Sequence, residues 1–170
     1  MPFKQWGANE MIKAADANRF WLTQEWVIKQ ADESVTNNAS VFDDDELFVW
    51  LAHANTDYWF ETFLIYDGHL DGGLRLTWSV PSGASIEWTH GGLRASAGAT
   101  VGEVSRTFIT TGEGLIGCVT GSTTVVAMEG RVTTGATIHN LKLRWGQITA
   151  HATATRVLAG SGLLVTRLTT

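Results

Sequence analysis

The chain has 170 residues, 17 Asp and Glu against 12 Lys and Arg, and a net charge of −5, which is room for one domain plus an appendage. Its single cysteine excludes an internal disulfide, no apolar run reaches the ~20 residues that cross a bilayer, and no Lys/Arg cluster marks a nucleic-acid surface. The opening MPFKQWGANE lacks the apolar stretch of a secretion signal, so the expectation is a soluble protein made in a cytoplasm.

Residues 1–13 read as an irregular lead that carries Phe3 and Trp6. Large apolar groups there predict an arm that docks on its own domain or on a partner. Residues 14–30, AADANRFWLTQEWVIKQ, contain no Gly or Pro, with Asp16 early and Lys29 late as a helix dipole prefers. Phe20 and Trp21 share a stripe at helical spacing and Trp26 lies off it, so the predicted helix is apolar over more than one face. It packs either on a partner or on its own sheet. Residues 31–46 are polar and end in Asp43, Asp44, Asp45 and Glu46. Consecutive acids point to alternate sides of a chain, and the spacing of a calcium loop is missing, so a solvated turn is expected.

Strands follow, read at 47–52, 58–66, 74–80, 84–88, 104–111, 115–120, 123–133, 137–147, 151–158 and 162–168. Leu74, Leu76 and Trp78 alternate with Arg75, Thr77 and Ser79, a period of two. The stretch Tyr58–Tyr66 is apolar on both faces, which predicts a central strand covered on both sides. The two read as a long hairpin around Asp67-Gly68 and Gly72-Gly73. Leu141, Leu143 and Trp145 repeat the alternation and are expected to face Leu74, Leu76 and Trp78 across the core. Residues 90–102 read as a surface loop. Many short strands with regular turns predict a mainly β protein: an antiparallel β-sandwich of jelly-roll type over residues 35–170, behind an N-terminal arm and one helix over 1–34.

Residues 1–71 hold 13 acidic and 4 basic side chains, and residues 72–170 hold 4 and 8. Such a dipole helps copies attract one another, or simply follows from strand composition. The chain's chemistry is sparse. His53, His69, His90, His139 and His151 lack the spacing of a metal pair, which leaves open only a convergence of distant strands. Cys118 sits in an apolar strand, where a thiol is inert. Glu87 and Glu129 are isolated strand acids, and no nucleophile elbow, phosphate loop or dinucleotide fingerprint occurs. The expectation is a protein that is not an enzyme, with no catalytic residue, no metal and no cofactor.

The segment KQWGANEMIKAADANRFWLTQEWVI resembles one that opens many virion proteins of tailed bacteriophages, minor tail and fibre-like proteins in particular. Ala14, Ala15, Asp16, Asn18 and Gln24 match the pattern, while Ile12-Lys13 stand where Leu-Thr is usual. DDDELFVWLAHANTDYWFETFLIYDG, LTWSVPSGA and LKLRWGQITAHATATRVLAGSGLLV are similar to the β-module that follows it. The resemblance implies a virion structural protein on the tail, a fibre or the capsid surface, assembled as a homotrimer with itself and attached to other virion proteins. Phe3, Trp6, Phe20, Trp21 and Trp26 are then the anchor, with no nucleic-acid or membrane partner. A rival reading is a carbohydrate-binding sandwich for a host-surface glycan, with Trp88 in SIEWTHGG as the stacking aromatic. A second rival is an envelope-degrading enzyme, which needs two carboxylates in a cleft.

Overall fold

The structure, a computed structural model, describes residues 24–94 and 104–168. Twelve strands among these residues form two antiparallel sheets. The larger runs, side by side, β1 (Gln24–Ile28), β12 (Gly162–Leu168), β4 (Asp57–Asp67), β9 (Thr124–Thr133), β6 (Ser85–Leu93) and β7 (Val104–Ile109). Short β2 (Glu33–Val35) and β11 (Thr155–Val157) join it at the end of β4. The smaller sheet runs β3 (Phe42–Trp50), β10 (Asn140–Gly146), β5 (Leu74–Ser79) and β8 (Gly114–Ile116).

Alternation along the strands builds the core between the sheets. Tyr58, Phe60, Leu64 and Tyr66 of β4 point inward, as do Leu74, Leu76 and Trp78 of β5 and Leu141, Leu143 and Trp145 of β10. Phe60 meets Trp78 across the core at 4.6 Å between ring centroids. The mainly β expectation therefore holds, and the two sheets form a sandwich.

Several expectations are corrected. The predicted hairpin does not form, because β4 pairs with β12 and β9 while β5 pairs with β10 and β8. Each strand already has two partners in its own sheet, so the turn between them carries the chain from one sheet to the other. Leu143 sits beside Trp78, and Trp145 beside Leu76, as neighbours in one sheet and not across the core. The sequence periodicity assigns faces but not partners.

No helix is found among the described residues. Gln24–Ile28, the end of the predicted helix, is strand β1, in register with β12 from Gln24↔Thr166 to Ile28↔Gly162. An available sheet edge and the bulky Trp26, Val27 and Ile28 outweigh the helical spacing. Residues 14–23 lie outside the described residues. The β-domain consequently begins upstream of residue 35, since β1 and β2 belong to its sheet. His90–Leu93, expected in a loop, extends β6.

The acidic run is no solvated turn. Asp44 and Lys29 are both fully buried, and Lys29 Nζ donates to Asp44 Oδ1 at 3.1 Å and to Glu33 Oε2 at 3.0 Å. Asp44 also accepts the backbone N–H groups of Glu46 and Leu47 and, on Oδ2, the indole N–H of Trp145 at 3.1 Å. Those two N–H groups lie where the β3–β10 register shifts, so the carboxylate replaces ladder bonds that the irregularity removes. Burial alone lowers the pKa of Lys29, but its hydrogen bond to Glu33 and the charge of Asp44 more than offset this and hold it above its ordinary value. Glu46 accepts the N–H groups of Gln30 and Ala31, and Asp43 pairs with Arg144 at 2.9 Å. The cluster ties the β1–β2 connection to the small sheet. Breaking such a pair strands a buried ammonium, so Asp44→Ala is expected to cost about 3–5 kcal/mol by urea denaturation. An unchanged midpoint would show that the cluster is hydrated.

Candidate functional site

Every second residue of the large sheet points away from the core, and register places these residues in rows. One row reads Trp26, Leu164, Glu61, Glu129, Thr89 and Phe108, from β1 to β7. At about 4.8 Å per strand it crosses about 24 Å. The row on one side includes Trp59, Arg131 and Glu87, and that on the other Ile28, Phe63, Ala127, Gly91 and Arg106.

Four aromatic rings stand on this face: Trp26 at 55% exposure, Trp59 at 36%, Phe63 at 49% and Phe108 at 67%. With a ring group worth about 150–250 Å² when fully covered, they leave about 300–500 Å² of aromatic surface in water. That matches the largest apolar patch usual on a monomer, about 300–600 Å². The indole of Trp26 lies over Gly162, where an added Cβ would meet its Cζ2 at 3.0 Å. A glycine on the neighbouring strand thus lets the ring lie flat on the sheet.

Charged groups of both signs fill the centre. Glu61 and Glu129 face each other directly across β4 and β9, an unfavourable pairing if left alone. It is relieved because Trp59 Nε1 donates to Glu61 Oε1 at 3.0 Å and Arg106 pairs with Glu129; in the next row Arg131 pairs with Glu87 at 3.2 Å. A groove of about 290 Å³ runs between Glu61, Thr89, Gly91 and Arg106. A second, of about 420 Å³, runs between Trp59, Phe108, Glu87 and Arg131.

The residues singled out in the sequence fall in three places. Phe3, Trp6, Phe20 and Trp21 lie outside the described residues. Trp26 is exposed, on strand β1 and not on a helix. Trp88 is corrected: at 2% exposure it points into the core, so no sugar ring can stack on it. Trp59, Phe63 and Phe108 were missed. The signal for two of them was present, because a strand apolar on both faces carries a second apolar set whatever covers it.

No family model matches the chain, and no curated protein matches it. The surface itself therefore defines the class: a sandwich whose large sheet presents an aromatic and ion-paired outer face.

Beneath that face, Trp88 and His90 point inward from β6, against Gly114. Burial lowers the pKa of His90 below its ordinary 6.5, so the folded protein holds the ring neutral. Cys118 is also buried, which pushes its thiol up to about 12 and keeps it a poor nucleophile. Because the unfolded chain protonates His90 more readily than the folded one, stability falls as pH drops through about 6.5 and below. Melting scans from pH 8 to 5 are expected to show a shallower fall for His90→Gln than for the parent. Parallel curves would mean that His90 takes up its proton without unfolding.

Proposed function

We propose that this chain is a structural protein of a tailed-phage virion, a surface-exposed homotrimer of the minor-tail, fibre-like or capsid-decoration kind. It attaches through its N-terminal segment, and copies meet through the outer face of the large sheet. The observation that carries this reading is the row of exposed aromatics Trp26, Trp59, Phe63 and Phe108 on that face. Covering it with a second copy removes an apolar area comparable with the centre of a standard interface, which takes about 800 Å² from each partner. Glutamates and arginines occur together there, so a copy brings both signs of charge to its neighbour.

Two further points support the reading. The segments that resemble phage tail proteins span most of the chain. The strand orders β1-β12-β4-β9 and β3-β10-β5-β8 interleave as two Greek keys, and we read the fold as jelly-roll type, an architecture shared by viral capsid and lectin domains. In this reading β6 and β7 are an added hairpin that widens the large sheet. No catalytic step is assigned. Glu61 and Glu129, the two carboxylates that face each other, are engaged by Trp59 and Arg106.

The groove between Trp59 and Phe108 favours one second reading, recognition of a host-surface glycan by aromatic stacking beside polar groups. It replaces Trp88 with Trp59 as the stacking ring.

Light scattering on the eluting full-length protein should give the mass of three chains. Trp59→Glu combined with Phe63→Glu should give one chain with an unchanged circular-dichroism spectrum. A parent protein that stays monomeric at high micromolar concentration would remove the assembly role. Deleting residues 1–23 keeps β1 and Lys29 and is expected to abolish attachment to particles that lack the protein. If host polysaccharide quenches tryptophan fluorescence in the parent and not in Trp59→Ala, the glycan reading takes its place.

A further inference from the structure

We propose that His69, Asp71 and His151 form a binding site for a divalent transition-metal cation, Zn²⁺ by its donor set, at the corner where the chain crosses between the two sheets. His69 and Asp71 lie in the connection from β4 to β5, and His151 in that from β10 to β11. Each connection leaves one sheet for the other, so the two run together at one end of the sandwich.

The corner is built before any cation arrives. The N–H groups of Ile148 and Thr149 donate to Gly72 O at 2.9 and 3.1 Å, which joins the two connections. Gln147 is fully buried; its Oε1 accepts the His151 N–H at 3.0 Å, and its Nε2 donates to His151 O at 3.2 Å and Thr153 O at 3.0 Å. At Gly72 an added Cβ would stand 3.3 Å from His151 Cβ, so the glycine lets the connections approach this closely. A rigid support of this kind holds ligand side chains near a working geometry.

The imidazoles of His69 and His151 stack at 4.2 Å between centroids, 11° from parallel. His69 Nδ1 and Asp71 Oδ2 are 3.4 Å apart. That separation is the edge of a tetrahedron whose centre lies about 2.1 Å from each corner, the length of a zinc–nitrogen or zinc–oxygen bond. One ligand atom from each of the three residues lies within 4.8 Å of the others. Binding through both rings requires the His151 ring to rotate out of the stack. Nδ1 of His69 accepts the Asp71 N–H at 3.2 Å, and Nδ1 of His151 accepts the Thr153 N–H at 3.0 Å. Both bonds lie at the surface, so a cation that takes either lone pair releases the N–H to water at little cost.

Two imidazoles and one carboxylate suit zinc and its neighbours. Calcium requires six to eight oxygens, and magnesium keeps an octahedral shell of oxygens. Three protein ligands leave a fourth position for water. The histidines stand 82 residues apart in the chain, so no local spacing announces the pair.

The test is calorimetric titration of the full chain, made without a polyhistidine tag, with zinc chloride, alongside the visible absorption of added Co²⁺. One Zn²⁺ per chain, a rise in melting temperature and tetrahedral Co²⁺ bands are expected. Asp71→Asn and His69→Gln should each weaken binding by roughly tenfold or more while melting like the parent in chelator. His53→Ala and His139→Ala, which change histidines outside the corner, should bind as the parent does. Binding well below one Zn²⁺ per chain, or affinity unchanged in both Asp71→Asn and His69→Gln, overturns the proposal. His151→Ala adds a third arm: binding retained in that variant at parental affinity also overturns it.

Discussion

Strand β4 carries two apolar sets on one backbone, and much of the molecule follows from that constraint. Eleven residues long, it pairs with β12 on one side and β9 on the other. Its inward set, Tyr58, Phe60, Leu64 and Tyr66, is the centre of the core. Its outward set, Trp59 and Phe63, is half exposed. A central strand cannot turn either set away without losing both ladders, since a shift of one residue exchanges the faces. The outer aromatics are therefore a fixed consequence of the register that buries the inner ones, and Trp59 and Phe63 stay partly exposed where the sequence predicted a strand covered on both sides.

The two sheets are held together at their edges by polar contacts as well as by the core. Lys29, Asp44 and Glu33 meet where the β1–β2 connection passes the small sheet, and Trp145 joins them from β10 through its indole N–H. An ion cluster of this kind adds less net stability than its short distances imply, because each charge gives up its hydration. Its effect is directional. It sets where the first strands lie against β3, at the point where the β3–β10 ladder loses its register. At the opposite kind of corner, Gln147 does similar work with neutral groups, fixing the β10–β11 connection by hydrogen bonds to His151 and Thr153.

The outer face of the large sheet combines features that usually lie apart. Exposed rings favour association, whereas cross-strand pairs such as Arg131–Glu87 keep a sheet face soluble and specify orientation. In the proposed assembly, paired charges at the centre and rings toward both ends limit the orientations open to a neighbour. The same arrangement, on a smaller scale, suits a saccharide, whose apolar ring face and polar hydroxyls call for the same two kinds of group. The two readings differ in area, and area is what assembly state and ligand titration measure.

Alternation along Leu74–Ser79 and Asn140–Gly146 was legible in the sequence, as was the apolar run Tyr58–Tyr66, and with them these strands, the buried Leu76, Trp78, Leu143 and Trp145, and the sandwich class. Period two is a local property, so it survives without knowledge of the partner. Which strands pair was not legible, because any apolar face satisfies any other until the whole set competes for neighbours; hence β4 and β5 were expected as a hairpin and lie in different sheets. Helical spacing over residues 14–30 was outweighed at Gln24–Ile28 by a free edge on β12. The acidic run Asp43–Glu46 read as a solvated turn because its partner, Lys29, is 15 residues from Asp44 and meets it only through the fold. Trp88, between Glu87 and Thr89, is buried, whereas Trp59, between Tyr58 and Phe60, is partly exposed, so only the side of the sheet on which each falls separates core from surface. His69 and His151 likewise become neighbours only when two connections cross the same corner. The sequence by itself determined the mainly β class and the inward faces of its alternating strands, since those depend on backbone geometry and residue type. The tertiary structure decided the partners, the exposed face and the clustered side chains, since those depend on contacts between residues far apart in the chain.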